Sequence, residues 1–523
     1  MGRTRPPTAP QQPSPRVPPR AAAMAAGLAF LAATVSAFLC WRVFDGIPHV
    51  ADGVSYAFQG KIFAAGRLWL DPPPVPGAFE VPNVLLRGSR WCGIYPPGYP
   101  LLLAAGWLAG APWLVNPLLL GLSVLGTFRL GERLFDARIG LVGAFLLSVS
   151  PFALLMGAGF MGHVAALCAM TWCLVFLAEG VPGGRALPLA AAGFLAGFAF
   201  LVRPQAAGFF LLPALLGTLF LRRRDLVRSA ALLAAGAAPP LAFLLAYNAL
   251  LSGNPLRMAY LVWDPTLSFT YDFSLSRLFT AHFPWFLHDL NATIWGFPFG
   301  DLLPLVLLLR PAPGRSRDAG LAACALSLVV GFSGYRYYPV NFSGPRYAFE
   351  ALAVLSLLVA RAFVELGGFA RRWLERRKAE RFAPVAVAAA VVLLAIPPLG
   401  IRLPFFAKRL SHAYHGQSAE PLRRAAAAGV GPDALVLVSG TEPRFGGDVS
   451  PFNYMSFFLL NGAEPAKAPC VYALDRPGLR EALRAAYPRA ETWTVTAEFE
   501  PIPDEAFTDN CWDLRRIEWR RLP

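Results

Sequence analysis

The sequence predicts an all-α polytopic membrane protein with a small α/β domain at its C-terminal end. Three observations predict it. The chain of 523 residues is 56% hydrophobic and only 15% charged, against roughly 25% charged in soluble domains. It holds many separate apolar runs of about 18 or more residues, the length that crosses about 30 Å of hydrocarbon. Its arginines gather in short segments between those runs: FRLGERLFDAR at 128–138, RRRDLVR at 222–228, RPAPGRSR at 310–317 and RRWLERRKAER at 371–381. Basic residues placed in this way set membrane orientation. The net charge of +15 therefore reports topology and gives no reason to expect a nucleic-acid partner.

Residues 1–20 are rich in Pro and Arg, have nothing to bury and read as a disordered cytoplasmic tail. The first apolar run is longer than a signal-peptide core and no clean cleavage site follows it, so it reads as a retained span. From a cytoplasmic N-terminus, spans are expected near 21–43, 113–130, 139–157, 164–179, 187–202, 205–221, 229–250, 293–310, 319–334, 347–366 and 383–400. This count of about eleven puts every Arg-rich segment on the cytoplasmic side. A crossing by 98–111 would turn them all outward, so that piece is expected to lie in the interface or re-enter. The segments left outside are the loop 45–97, the turn at 157–163, the loop 252–292, the stretch 333–347 and the tail 401–523.

In that tail LRRAAAAG and LREALRAAYP read as short helices, and ALVLVSG and ETWTVTAEF as strands. No phosphate-binding glycine motif or catalytic triad pattern appears there, and a cap that shapes an acceptor site is the simplest reading. Cys40, Cys168, Cys173 and Cys324 lie in apolar runs, where thiols act as small hydrophobes. Pairing of Cys470 with Cys511 is left open.

Asp52 follows the first span by about ten residues, in PHVADGVSYAFQGKIFAAGRLW. It suits an N-cap and equally a catalytic carboxylate. Residues 52–66 are expected to form an interfacial helix with Tyr56, Phe58, Ile62 and Phe63 toward the lipid boundary. Tyr95-Pro96-Pro97-Gly98 forces a bend that could hold a lipid chain against Tyr95 and Tyr99.

An ordered set of segments now resembles a known family. It comprises ADGVSYAFQGKIFAAGRL at 51–68, YPPGYPLLL at 95–103, RLGERLFDARIGLVGAFLLSVSP at 129–151, FMGH at 160–163, FLVRPQAA at 200–207 and GPRYAFEALAVL at 344–355. Together, over roughly residues 25–400, they resemble the GT-C glycosyltransferases of the protein O-mannosyltransferase and aminoarabinose transferase type, glycosyltransferase family 39. The resemblance implies a GT-C helix bundle in a bacterial inner (cytoplasmic) membrane, with its active site at the extracytoplasmic face. It implies a polyprenyl-phosphate-linked sugar as donor and an extracytoplasmic lipid, glycan or protein as acceptor. Asp52 then looks like the general base that activates an acceptor hydroxyl. Many relatives carry Asp-Glu where this chain has Asp52-Gly53, which weakens two-acid or metal-bridging schemes more than the base role.

Other residues gain candidate roles beside it. His163 could bind the acceptor or share a proton with Asp52, or be a histidine satisfied by backbone carbonyls. Arg203, a cation between two apolar runs, suits bidentate grip of the donor phosphate, with snorkelling to headgroups as the alternative. Arg346 and Tyr347 repeat that logic, with Arg336 near them and Arg87 and Arg90 in the first loop as weaker candidates. His282, His288, Asp264 and Asp289 could line the acceptor pocket or bind a cation, and metal dependence stays open. The competing classes are a transporter or lipid flippase, for which no inverted repeat is visible, and a glycan polymerase or ligase.

Overall fold

The computed structural model describes residues 19–265, 293–296, 314–333, 335, 340–341, 344–425, 427–440, 444–445, 448–449, 454–462, 470–501 and 512–523. Backbone amides in hydrocarbon must be paired within their own segment, and the apolar runs accordingly fold as helices. They are α1 (Pro19–Phe44), α2 (Ala51–Ala64), α3 (Gly98–Leu108), α4 (Val115–Leu134), α5 (Ala137–Val149), α6 (Pro151–Ala158), α7 (His163–Gly180), α8 (Ala186–Val202), α9 (Pro204–Leu221), α10 (Leu226–Ser252), α11 (Ala259–Trp263), α12 (Arg315–Ser333), α13 (Leu352–Arg376) and α14 (Ala383–Ala395).

Among the described residues seven helical segments are long and apolar enough to cross a membrane: those built on α1, α4, α7, α9, α10, α13 and α14. The pair α5 and α6, bent by 59° at Ser150, brings the number to eight. Ser150 starts the second half by capping Ala153 N. The other expected spans correspond to α8, apolar but only 17 residues, and to α12, whose first turn carries Arg315, Arg317 and Asp318. Of 293–310 only 293–296 are described. Helix α3 has 11 residues and is thus about 16 Å long, too short to cross.

Within the bundle α1 packs on α4, α5 and α6, α4 on α5 and α7, α8 on α7 and α10, and α13 on α5. Helices α8 and α10 approach so closely that a Cβ on Gly236 would overlap Ala190 O, and one on Gly193 would overlap Leu233 O. Small residues permit such contact in membranes. Gly236→Val is therefore expected to push the two helices apart at a cost of about 1–3 kcal/mol, read as a lowered melting temperature in detergent.

Helix α2 corrects an expectation. Tyr56, Phe58 and Ile62 are buried in protein, not turned to lipid. Glycines make this possible: Gly60 lies against Leu103 of α3, and Gly93 against Ser55 and Gln59. The antiparallel strands β1 (Val84–Arg87) and β2 (Arg90–Gly93) cover it further, with Trp91 tilted on Phe58 at 4.9 Å. Two residues each form β3 (Val340–Asn341) and β4 (Gly344–Pro345), which lead into a 3-10 turn, Arg346–Ala351, before α13.

After α14, α15 (Leu403–Leu410) and α16 (Glu420–Ala425) lead to the expected α/β unit. It contains β5 (Ala434–Gly440), the short pair β6 (Arg444–Phe445) and β7 (Asp448–Val449), α17 (Tyr454–Phe458), β8 (Val471–Leu474), α18 (Arg480–Ala486), β9 (Glu491–Pro501) and β10 (Trp512–Arg521). The sheet order is β10-β9-β5-β8, with β5 parallel to β8 and β9 and the β9–β10 pair antiparallel. The strands read from ALVLVSG and ETWTVTAEF are β5 and part of β9.

This unit is bonded to the loop after α1. His49 contacts Tyr414 O at 3.1 Å, Asp45 accepts from Ala419 N at 3.0 Å and from Arg423 at 2.6 Å, and Tyr454 donates to Ala78 O at 3.1 Å. Lys61, in the last turn of α2, donates to the carbonyls of Leu459 (3.0 Å) and Asn461 (2.7 Å). The helix that begins at Ala51 is thus held at both ends by the C-terminal unit.

Candidate active site

Asp52 occupies the first turn of α2, one residue after Ala51, and does not cap it. The cap position is Val50, which makes no side-chain bond. The carboxylate turns instead into a cavity of about 460 Å³. There Tyr95 Oη donates to Oδ1 at 2.6 Å and Asn83 Nδ2 to the same oxygen at 2.8 Å. Arg346 Nη1 stands 3.3 Å from Oδ2. The bend at Tyr95-Pro96-Pro97 aims the phenol, and Tyr56, one turn after Asp52, stacks on it at 4.6 Å. Burial first, and Asp52 second, push the Tyr95 hydroxyl well above its ordinary pKa, so it remains a proton donor to the carboxylate.

A second group faces it. Arg203 ends α8 in a non-helical conformation (φ −146°) imposed by the following Pro204. Its Nε lies 2.9 Å from Glu350 Oε1, and its Nη1 2.5 Å from His163 Nε2. His163 Nδ1 lies 3.2 Å from the same Glu350 oxygen. A guanidinium only donates, so His163 Nε2 accepts and the ring proton stands on Nδ1, toward Glu350. The imidazole therefore orients Arg203, and its lone pair is engaged there and not by a proton from Asp52.

Tyr347 joins the two halves. Its ring lies 5.8 Å from the Arg203 guanidinium and 5.1 Å from that of Arg346, and it stacks on Phe332 at 4.7 Å. Arg346 Nη2 also donates to Tyr347 Oη at 3.3 Å. The Nε of Arg346 is buried without a hydrogen-bond partner among the described residues. The cavity thus holds a carboxylate bonded by two neutral donors and paired with Arg346, with the Arg203 guanidinium beyond Tyr347, and it is walled on its remaining side by Gln205, Tyr260, Trp263, Asp264 and Tyr335. Such an arrangement can take a proton at one wall while binding an anion at the other.

Of the residues expected from sequence, Asp52, Tyr56, Tyr95, His163, Arg203, Asp264, Arg346 and Tyr347 line this cavity. Tyr99 does not: it is fully buried behind Tyr56, at 5.1 Å. Arg87 is exposed at the end of β1 and does not line it. Arg90 turns to the carbonyl of Leu251 at the end of α10. His282, His288, Asp289 and Arg336 lie outside the described residues. Among the described residues no three His, Cys, Asp or Glu side chains stand together as a metal site.

Sequence reasoning missed Glu350 and Asn83. Glu350 carried a signal, an acid in the apolar stretch AFEALAVL, where an ionisable residue marks a site by default. Asn83 carried little beyond its type: it sits at φ +61°, a conformation Asn tolerates.

Comparison with known proteins follows this geometry. Residues 110–247 match the family model for dolichyl-phosphate-mannose-protein mannosyltransferases, a stretch that includes His163 and Arg203. A sequence comparison with curated proteins finds no match. Among solved structures, the apo crystal structure of ArnT from Cupriavidus metallidurans is similar over 89% of this chain and 92% of that one, at 16% identity and a TM-score of 0.51. This is a membrane protein of the GT-C fold. The same ArnT bound to undecaprenyl phosphate has a TM-score of 0.49 at 15% identity over 89% and 92% of the chains. The oligosaccharyltransferase AglB from Archaeoglobus fulgidus, in complex with an inhibitory peptide and a dolichol-phosphate, has 0.49 at 12% identity over 90% of this chain and 69% of that one. In this bundle the cavity is lined by the first turns of α2, the segment leading into α3, the start of α7, the junction of α8 and α9, and the turn before α13.

Proposed function

We propose that the chain is a glycosyltransferase that moves a sugar from a polyprenyl-phosphate carrier to an extracytoplasmic lipid, glycan or protein acceptor. The observation that carries this reading is the division of the cavity: one carboxylate, Asp52, held by Tyr95 and Asn83, and two guanidiniums, Arg203 and Arg346, flanking Tyr347. The match to a mannosyltransferase family model supports the same class. The acceptor oxygen attacks C1 of the sugar, its proton passes to Asp52, and the C1–O bond to the phosphate breaks with inversion. The leaving polyprenyl phosphate gains negative charge, which Arg203 and Arg346 stabilise. In this reading the cavity end of the bundle is extracytoplasmic, in a bacterial inner membrane with the N-terminus inside.

The test uses the purified protein in nanodiscs, undecaprenyl phosphate carrying radiolabelled mannose, glucose or a pentose, and an envelope extract as acceptor. Label is expected to pass to the extract from one donor, and unlabelled undecaprenyl phosphate to compete. Absence of both transfer and competition would overturn the reading. Within it, Tyr95→Phe removes one neutral donor to a carboxylate. A hydrogen bond to a charged group contributes about 1.5–3 kcal/mol. The transfer rate is therefore expected to fall by roughly one to two orders of magnitude, with undecaprenyl phosphate competition unchanged.

A further inference from the structure

One wall of the cavity has no part in proton transfer or in holding the phosphate, and two short stretches build it. Pro204 opens α9, so Gln205 falls in the first turn of that helix, two residues beyond Arg203. Its Nε2 donates to Tyr260 Oη at 3.3 Å, which ties the start of α9 to α11. Tyr260 and Trp263 are three residues apart on α11 and share one of its faces, and both line the cavity together with Gln205. Asp264 N closes that turn by donating to Tyr260 O at 2.9 Å.

Gln205 and Trp263 keep polar atoms for something other than protein. A glutamine amide carries two hydrogens to donate and an oxygen that accepts. Tyr260 takes one of the hydrogens of Gln205; the second hydrogen and Oε1 have no partner among the described residues. Trp263 is half-buried at the cavity. Its indole N–H also has no partner among the described residues, although indoles in such places usually find one. An aromatic plate beside an amide, both uncharged, suits a neutral ligand with an apolar face and hydroxyl edges. A sugar ring has that chemistry, whereas an anion needs the cations that stand elsewhere in the cavity.

We propose that Gln205 and Trp263 form the subsite for the donor's sugar, the indole against its C–H face and the amide hydrogen-bonded to one of its hydroxyls. Tyr260 is the positioning residue of that amide. This rests on the glycosyltransferase reading. In that reaction the sugar is joined directly to the phosphate held by Arg203 and Arg346, and Gln205 belongs to the same segment as Arg203. The acceptor has to reach Asp52 instead, whose partners are Tyr95, Asn83 and Arg346. A site that hydrogen-bonds a hydroxyl discriminates more sharply than an apolar pocket that only fits a shape. The amide of Gln205 is therefore the part of the wall that selects the sugar.

The experiment compares wild type with Gln205→Ala, Gln205→Met, Trp263→Ala and Trp263→Leu, all full-length in nanodiscs. Displacement of labelled undecaprenyl phosphate gives the affinity for the bare carrier and for the carrier bearing mannose, glucose or a pentose. Melting temperature and transfer to a titrated envelope extract are read beside it. Wild type is expected to bind one glycosylated carrier about tenfold or more tighter than the bare one. Gln205→Ala and Trp263→Ala should each bring that ratio to within about threefold, with bare-carrier affinity within about twofold of wild type. Where an alanine variant melts markedly lower, the bulkier Gln205→Met or Trp263→Leu decides, since each is expected to show the same loss. Tyr260→Phe should lower the ratio in wild type and change nothing further beside Gln205→Ala, a pattern that a merely structural role would not give. A ratio unchanged in folded variants of both positions overturns the proposal. So does an equal loss of bare-carrier affinity, which would place the wall on the phosphate side, and so does a rise only in the half-saturating amount of extract, which would give it to the acceptor. A wild type that binds the bare carrier but prefers no glycosylated one overturns this proposal alone. A wild type that neither binds undecaprenyl phosphate nor transfers removes the glycosyltransferase reading itself, and this proposal with it.

Discussion

Asp52→Asn is expected to lower sugar transfer by about 10²–10⁴-fold, the contribution typical of a positioned general base, while leaving the protein folded. The substitution keeps the side-chain shape and one oxygen that can accept from Tyr95 or Asn83, so the local structure survives. It removes the carboxylate proposed to take the acceptor proton. It also removes the negative charge 3.3 Å from Arg346, which frees that cation for an incoming anion. Undecaprenyl phosphate binding should therefore be preserved or tightened severalfold, and the loss should appear in kcat and not in the donor KM. Asp52→Glu should restore a fraction of the rate. Transfer retained by the asparagine variant would exclude Asp52 as the base. Loss of transfer together with loss of donor binding would make it a structural partner of Arg346.

The second large effect is expected at Glu350. Its carboxylate is fully buried, with Arg203 Nε at 2.9 Å and His163 Nδ1 at 3.2 Å. Glu350→Gln keeps an oxygen for the imidazole proton but leaves the guanidinium without its counter-charge. Removing one partner of a buried ion pair costs about 3–5 kcal/mol, so the melting temperature should fall by many degrees. Transfer should fall too, because Arg203 is no longer held toward Tyr347. Adding Arg203→Met to Glu350→Gln removes the stranded cation and should recover much of the stability without recovering transfer. A variant at Glu350 with unchanged melting would mean that Arg203 is neutralised by another group.

Much of this site was legible because charge in an apolar setting is rare and its position is informative. Asp52, Arg203 and Arg346 stood out for that reason, and Tyr347 through its place in GPRY. Glu350 obeyed the same rule, three residues after Tyr347, and was passed over because the surrounding segment was read for its arginine. Asn83 is neutral and lies in a loop, so nothing local marks it. The role of α2 was misread for a different physical reason. An apolar stripe has the same periodicity whether lipid or protein covers it. What decides the matter is the close approach at Gly60 and Gly93, set by partners more than thirty residues away. The bend between α5 and α6 likewise depends on a serine cap and a proline inside one apolar run. Arg87 stands exposed at the tip of the β1–β2 hairpin and does not line the cavity. Its charge was visible in the sequence, but its direction was not.

The bonds from His49 to Tyr414 and from Lys61 to Leu459 and Asn461 join residues separated by 365, 398 and 400 positions. A ribosome makes roughly 5–20 residues each second, so these partners reach one another only some tens of seconds after Asp52 has emerged. Through that interval the nascent protein holds the bundle's early helices with α2 lacking its clamp. Synthesis of the later segment, and not insertion of the first helices, is then the event after which the Asp52 carboxylate acquires its final setting.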